Sequence, residues 1–157
     1  MEIKFNISDL IDIINEEVDR LAARSYSEDG GSLYDGIKIT SRDARVQERI
    51  FEERDARLRS FLTFCLEGTE REKDETTGET YLIYNIKEQG TKLPSLSSVK
   101  VLLRKYLVDS VLYDWYTKHN IPSTITIDDI EALESKIVCT LRQGYAKKPL
   151  QPFGPRK

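Results

Sequence analysis

Residues 95–119, SLSSVKVLLRKYLVDSVLYDWYTKH, constrain this chain most, because their apolar side chains cover nearly a whole helical circumference. Leu96, Val99, Leu102, Leu103, Tyr106, Leu107, Val111, Tyr113 and Tyr116 recur at helical spacing, and Val101, Val108, Leu112 and Trp115 widen the stripe. A helix of this kind must be surrounded by the rest of the fold. Burying about eight such side chains at roughly 1.5–3 kcal/mol each would supply much of the gross stabilisation. Ser95 or Ser97 is the expected cap. Asp109 and Asp114 are its conspicuous polar residues; Asp109 is expected to pair with an arginine or a tyrosine hydroxyl and Asp114 to face water.

The flanking segments supply the surround. Leu10, Ile11, Ile14, Val18, Leu21 and Ala22 follow an i, i+3, i+4 stripe that predicts a helix over residues 8–24, after a brief alternation of Ile3, Phe5 and Ile7. Residues 25–36, SYSEDGGSLYDG, read as a loop whose Glu28, Asp29 and Asp35 lack the spacing of a calcium-binding loop. Ile37 and Ile39 suggest a short extended piece. A second helix, capped by Thr40 or Ser41, is expected to run to about Leu66 and to stop before Gly68, with Val46, Ile50, Leu58, Phe61, Leu62 and Cys65 on its apolar side. Thr77-Gly78 predicts a turn leading into the β-branched and aromatic run at residues 81–86, hence a small β-hairpin near residues 70–87 that packs on the helices or pairs with another chain. His119-Asn120-Ile121-Pro122 turns the chain, and Thr126 with Asp129 predicts a capped fourth helix over residues 127–143, closed by Gly144. The fold class is therefore mostly α: a four-helix bundle-like domain over residues 1–145, with the hairpin insertion inside residues 69–93 and an extended Pro-rich basic tail at 146–157.

With 157 residues the chain fits one domain. A formal net charge of -3 argues against a large basic face that wraps duplex nucleic acid. The two cysteines, Cys65 and Cys139, lie in apolar helical patterns, which suits buried reduced thiols and predicts no disulfide. Neither a basic leader nor an apolar run long enough to span a membrane is evident, so a cytoplasmic location is expected. Phosphate-loop, dinucleotide, CxxC, HExxH and GxSxG motifs are missing from the sequence, and His119 is the only histidine; these observations predict a non-enzyme with no cofactor and no metal site.

Charge is densest between Arg42 and Arg59, where six arginines alternate with five acids and Arg49/Glu53, Glu53/Arg57 and Asp55/Arg59 stand four residues apart. Such a face is either a self-compensated solvent surface or one that meets a neighbouring subunit, with Arg45, Arg49, Glu53 and Arg57 as the candidate contacts. Tyr81 and Tyr84 on the hairpin are further interface candidates. In the tail, Pro149 and Pro152 stiffen the chain, Phe153 offers an apolar knob, and Arg156 adds charge, together making a candidate docking arm.

The order of these elements resembles the small helical head-tail connector (adaptor) proteins of tailed bacteriophages, particularly the Mu-like group. The residues that carry the resemblance are Ser8-Asp9-Leu10, the EDGGSLYDG loop, Arg59-Ser60-Phe61-Leu62, Leu93-Pro94, Leu103 with Asp109, Tyr113 and Tyr116, and Leu141-Arg142-Gln143-Gly144. The longer hairpin around residues 76–86 and the basic Pro-rich tail depart from that pattern. The resemblance implies a structural role: copies form a homo-oligomeric ring against the portal protein and other neck or tail proteins, and DNA passes through the channel without specific binding. It implies the cytoplasm of the producing bacterium first and the virion neck after assembly, with no membrane involved. Two readings stand beside it: a host cytoplasmic protein-protein adaptor that uses the same charged helix and tail, and a nucleic-acid-binding module that uses residues 42–59 and the tail.

Overall fold

Seven residues of apolar-rich strand organise the β part of the molecule. The computed structural model describes residues 1–24, 38–40, 42–88 and 95–145. Along the chain it contains β1 (Glu2–Asn6), α1 (Ile7–Arg24), α2 (Ala44–Phe61), β2 (Leu66–Glu67), β3 (Arg71–Lys73), β4 (Thr80–Ile86), α3 (Leu96–Lys118) and α4 (Ile127–Tyr145). The fold is mostly α with a small antiparallel sheet. β4 is the central strand, paired with β1 on one side and with both β2 and β3 on the other. The expected hairpin is present as β3–β4. Its turn is held by the Asp74 carboxylate, which accepts from the backbone N–H of Thr76 at 2.8 Å, and by Gly78 at φ 74°, a left-handed conformation that a side chain disfavours.

The hairpin does not stand alone. Ile3 and Phe5 face the core from β1, opposite Tyr84 and Leu82, so the alternation at the start of the chain is a sheet strand. Leu82, Tyr84 and Ile86 project to the same side and join the core.

α3 is the hub. It contacts α1, α2, α4 and β1, and it buries Val99, Leu103, Tyr106, Leu107, Val108, Val111, Leu112, Trp115 and Tyr116. Ser95 caps it, its side chain accepting from the backbone N–H of Ser98 at 3.3 Å. At the other end His119 is the C-cap residue, its ring 4.2 Å from that of Trp115, and Asn120 adopts φ 53° to turn the chain. The apolar circumference is not buried throughout, since Leu96 and Val101 remain 45% and 51% exposed.

Three boundaries differ from those expected. α2 ends at Phe61, and the N–H groups of Cys65 and Leu66 fold back on the Leu62 carbonyl. Leu62 and Cys65 stay in the core through this turn, which frees Leu66–Glu67 to pair with β4. Asp43, not Thr40, is the N-cap residue of α2, and its carboxylate accepts from the Thr40 N–H and hydroxyl at 3.0 and 2.8 Å. α4 continues through Gly144 to Tyr145, and the expected Thr126–Asp129 cap opens it. Ile39 is buried and pinned by the side-chain amide of Asn15, whose Nδ2 donates to the Ile39 carbonyl and whose Oδ1 accepts from the Ile39 N–H, while Ile37, Ser41 and the loop at 25–36 lie outside the described residues. Both cysteines are free; Cys65 is buried, and Cys139 is exposed on α4 rather than in the core.

Candidate functional site

The arginines of α2 point to three different elements, and this determines what the charged helix does. Arg54 donates through Nε and Nη2 to the two carboxylate oxygens of Asp114 on α3, at 2.8 and 2.5 Å. Arg57 donates likewise to Glu134 on α4, at 2.6 and 3.1 Å. Arg59 donates to Asp55 at 2.7 Å and spends Nη2 on the carbonyls of Ile83 and Glu70 at 2.6 and 3.1 Å, which ties the helix to the sheet. Two-pronged pairing of this kind uses the planar guanidinium fork and fixes orientation as well as distance.

Two buried tyrosines complete the network. The Tyr84 hydroxyl donates to Asp55, and its ring lies 4.4 Å beneath the Arg59 guanidinium. The Tyr106 hydroxyl donates to Glu134 at 2.9 Å. Burial raises both phenol pKa values, and the adjacent carboxylates raise them further, so both hydroxyls stay protonated as donors. Hydrogen bonding to Asp114 and Glu134 raises the pKa of Arg54 and Arg57 in turn. The arrangement joins α2 to α3, α4 and the sheet through carboxylates that accept on both oxygens and donors held in fixed positions. Its chemistry is positional.

The interface candidates divide accordingly. Arg45 is exposed, and Arg49 and Glu53 pair at 3.1 Å with side chains 79% and 63% exposed. These remain surface groups. Arg57 does not pair with Glu53, because it reaches across to Glu134 and Glu131. Tyr84 lies in the core at 0% exposure and is out of reach of a partner in this fold. Tyr81 is half-buried on the outer sheet face, with Lys4 Nζ 4.5 Å from its ring centre and its hydroxyl on Glu79. Pro149, Pro152, Phe153 and Arg156 lie outside the described residues. Asp114 stays partly exposed but is paired with Arg54 instead of simply facing water, and Asp109 pairs with Lys105 at 2.6 Å instead of with an arginine or tyrosine.

One buried polar group stands apart. Gln47 on α2 is 0% exposed, and neither its amide nitrogen nor its oxygen finds a hydrogen-bond partner among the described residues. Among the described residues no three His, Cys, Asp or Glu side chains group to hold a metal ion, and no helix is long and apolar enough to cross a membrane. A groove of about 390 Å³ between α1 and α3 is lined by Glu16, Glu17, Arg20, Lys105 and Asp109, of which Arg20 pairs with Glu17 and Lys105 with Asp109.

Of the network, the sequence signals only Asp55 and Arg59, one turn apart; Arg54 with Asp114 and Tyr106 with Glu134 carry no local signal. No family model matches the sequence, and neither the curated proteins nor the solved structures contain a significant match.

Proposed function

We propose that this chain is a structural assembly protein of a tailed-phage or prophage neck, a head-tail connector that joins a portal to a tail through protein-protein contacts. One observation supports the reading above others: those of the resembling residues that are described fall on the hub helix and the helices packed on it, while the loop at 28–36 and Leu93-Pro94 lie outside the described residues. Ser8-Asp9-Leu10 lies in the first turn of α1, Leu103, Asp109, Tyr113 and Tyr116 all belong to α3, and Leu141-Arg142-Gln143 lies in the last turns of α4. In the reading, the four helices form a bundle-like body around α3, and several copies, commonly about a dozen in such proteins, form a closed ring. The rigid pairing of α2 with its neighbours suits a building block that must hold one shape while it carries load between larger assemblies. Arg45, Arg49 and Glu53 serve as exposed contacts, and the basic tail reaches the portal or the next copy.

Mass spectrometry of purified phage-like particles from the producing bacterium tests this. The expected result is the chain at a copy number close to that of the portal. Its absence from otherwise complete particles removes the connector reading.

A further inference from the structure

The first turns of α3 present a surface that a core helix would ordinarily hide. Leu96, Lys100 and Arg104 form one i, i+4 row and Ser97, Val101 and Lys105 the next, and all six are exposed. From residue 95 to residue 108 this helix carries three basic side chains and no acid. Lys105 is answered by Asp109, but Lys100 and Arg104 have no ion-pair partner among the described residues. The result is a basic strip with two large apolar side chains, Leu96 and Val101, about half exposed within it.

The opposite charge is concentrated elsewhere. The β3–β4 turn carries Asp74, Glu75 and Glu79 with no base between residues 74 and 79, and Glu48 of α2 adds to that end through its contact with Thr80. Thr80 and Glu48 meet in the first turns of α2, and Asp43 at the start of that helix is close enough to feel the charges of Lys118 and His119 at the C-terminal end of α3, the end opposite the strip. No ion pair joins the turn to the strip within the chain among the described residues.

We infer that the acidic β3–β4 turn of one copy docks on the basic-apolar strip formed by Leu96, Lys100, Val101 and Arg104 of the next. Two different complementary faces on one chain make a heterologous, head-to-tail contact, which is the type that closes into rings. Complementary charge sets approach and register, and covering Leu96 and Val101 adds apolar burial. The inference rests on the connector reading for the ring, while the contact itself is a property of the free protein.

Charge exchange in the full chain, read by sedimentation velocity, tests it. In about 20 mM salt, where screening extends beyond roughly 10 Å, the wild type forms concentration-dependent oligomers that dissociate as salt is raised. The double variants Lys100→Glu/Arg104→Glu and Glu75→Lys/Glu79→Lys each associate at least about tenfold more weakly. Mixed in equal amounts they associate again, because every contact between them pairs opposite charges, and a folding defect is not repaired by mixing. A wild type that stays monomeric, variants that associate like the wild type, or a mixture that fails to recover overturns the inference. So does salt-sensitive binding of a duplex DNA probe that Lys100→Glu/Arg104→Glu abolishes without self-association, which assigns the strip to a phosphate backbone. Charge exchange that succeeds while particles lack the chain removes the neck assignment alone; particles that contain it while charge exchange is silent remove this contact alone.

Discussion

Asp55 and Arg59, one turn apart on α2, form an ion pair whose side chains are 0% and 9% exposed. Both partners are bonded further: Asp55 also accepts from the Tyr84 hydroxyl, and Arg59 also donates to the carbonyls of Ile83 and Glu70. Removing one partner strands a buried charge, at a cost of about 3–5 kcal/mol. Asp55→Ala is therefore expected to lower the urea midpoint severely. Arg59→Lys is expected to be nearly as damaging, because an ammonium cannot span Asp55 and both carbonyls in one plane. A lysine variant as stable as the wild type would show that the fork geometry is unimportant.

Tyr106 and Glu134 couple α3 to α4 by a hydrogen bond that Arg57 reinforces from α2. Tyr106→Phe is expected to cost about 1 kcal/mol by leaving a carboxylate oxygen short of a donor. Paired with Glu134→Gln in a double-mutant cycle, it should be non-additive by about 1 kcal/mol, since the two groups share one interaction. Additive losses would mean that the hydroxyl contributes through packing alone.

What the sequence makes legible follows from how local each signal is. The hub helix is readable because Leu103, Tyr106, Leu107, Val111 and Trp115 repeat a burial stripe within one segment, and all five are in the core. The hairpin turn is readable because Gly78 marks a left-handed position. The membership of β1 in the sheet is not, because two core residues in a strand of five leave the pairing partner, some eighty residues away, unspecified. The end of α2 is misread because Leu62 and Cys65 keep a helical spacing in burial although the chain has already turned. The charged face of α2 is visible, but its inward direction is not: Arg54 finds Asp114 sixty residues on, a match that only tertiary packing makes. Leu96 and Val101 mislead in the opposite sense, since their apolar character places them with the core although they are exposed.

Gln47 predicts a gain rather than a loss. Its buried amide forgoes its hydrogen bonds with water and finds none among the described residues. An apolar side chain of similar length avoids that desolvation cost, so Gln47→Met should raise stability by about 1–2 kcal/mol in urea unfolding. A destabilised Gln47→Met protein would indicate that the amide has a bonded partner in solution.

The two thiols should differ sharply in reactivity. Burial pushes the Cys65 thiol pKa up to about 11, and a thiol reagent attacks the thiolate. Cys139 is exposed. At pH 8 the native protein should release colour from a chromogenic disulfide for Cys139 alone, with Cys65 following only after denaturant is added. Because the folded-state pKa of Cys65 is raised, its contribution to stability is complete below the ordinary thiol range and is lost as pH rises toward about 11. Cys65→Ala should flatten the alkaline loss of stability, and an unchanged alkaline slope would contradict the assignment.

Acid acts on the opposite kind of group. At the start of α4 the Asp129 carboxylate accepts from the Thr126 N–H and hydroxyl, both at 2.9 Å, while its own N–H donates to the Thr126 hydroxyl at 3.2 Å. The Thr126 backbone bond is the main cause that lowers the Asp129 pKa, and the hydroxyl adds to it. In the hairpin turn the backbone N–H groups of Thr76 and Thr77 lower the Asp74 pKa in the same way. A depressed folded-state pKa means that the unfolded chain takes up its proton first as pH falls. The stabilisation is therefore complete above the ordinary carboxylate range and is lost as pH drops through the lowered values. Asp129→Asn and Asp74→Asn should each reduce the slope of the urea midpoint against pH between about pH 5 and pH 2, and the two reductions should add because the caps share no partner. A wild-type slope in both variants would mean that neither carboxylate is held in its cap in solution.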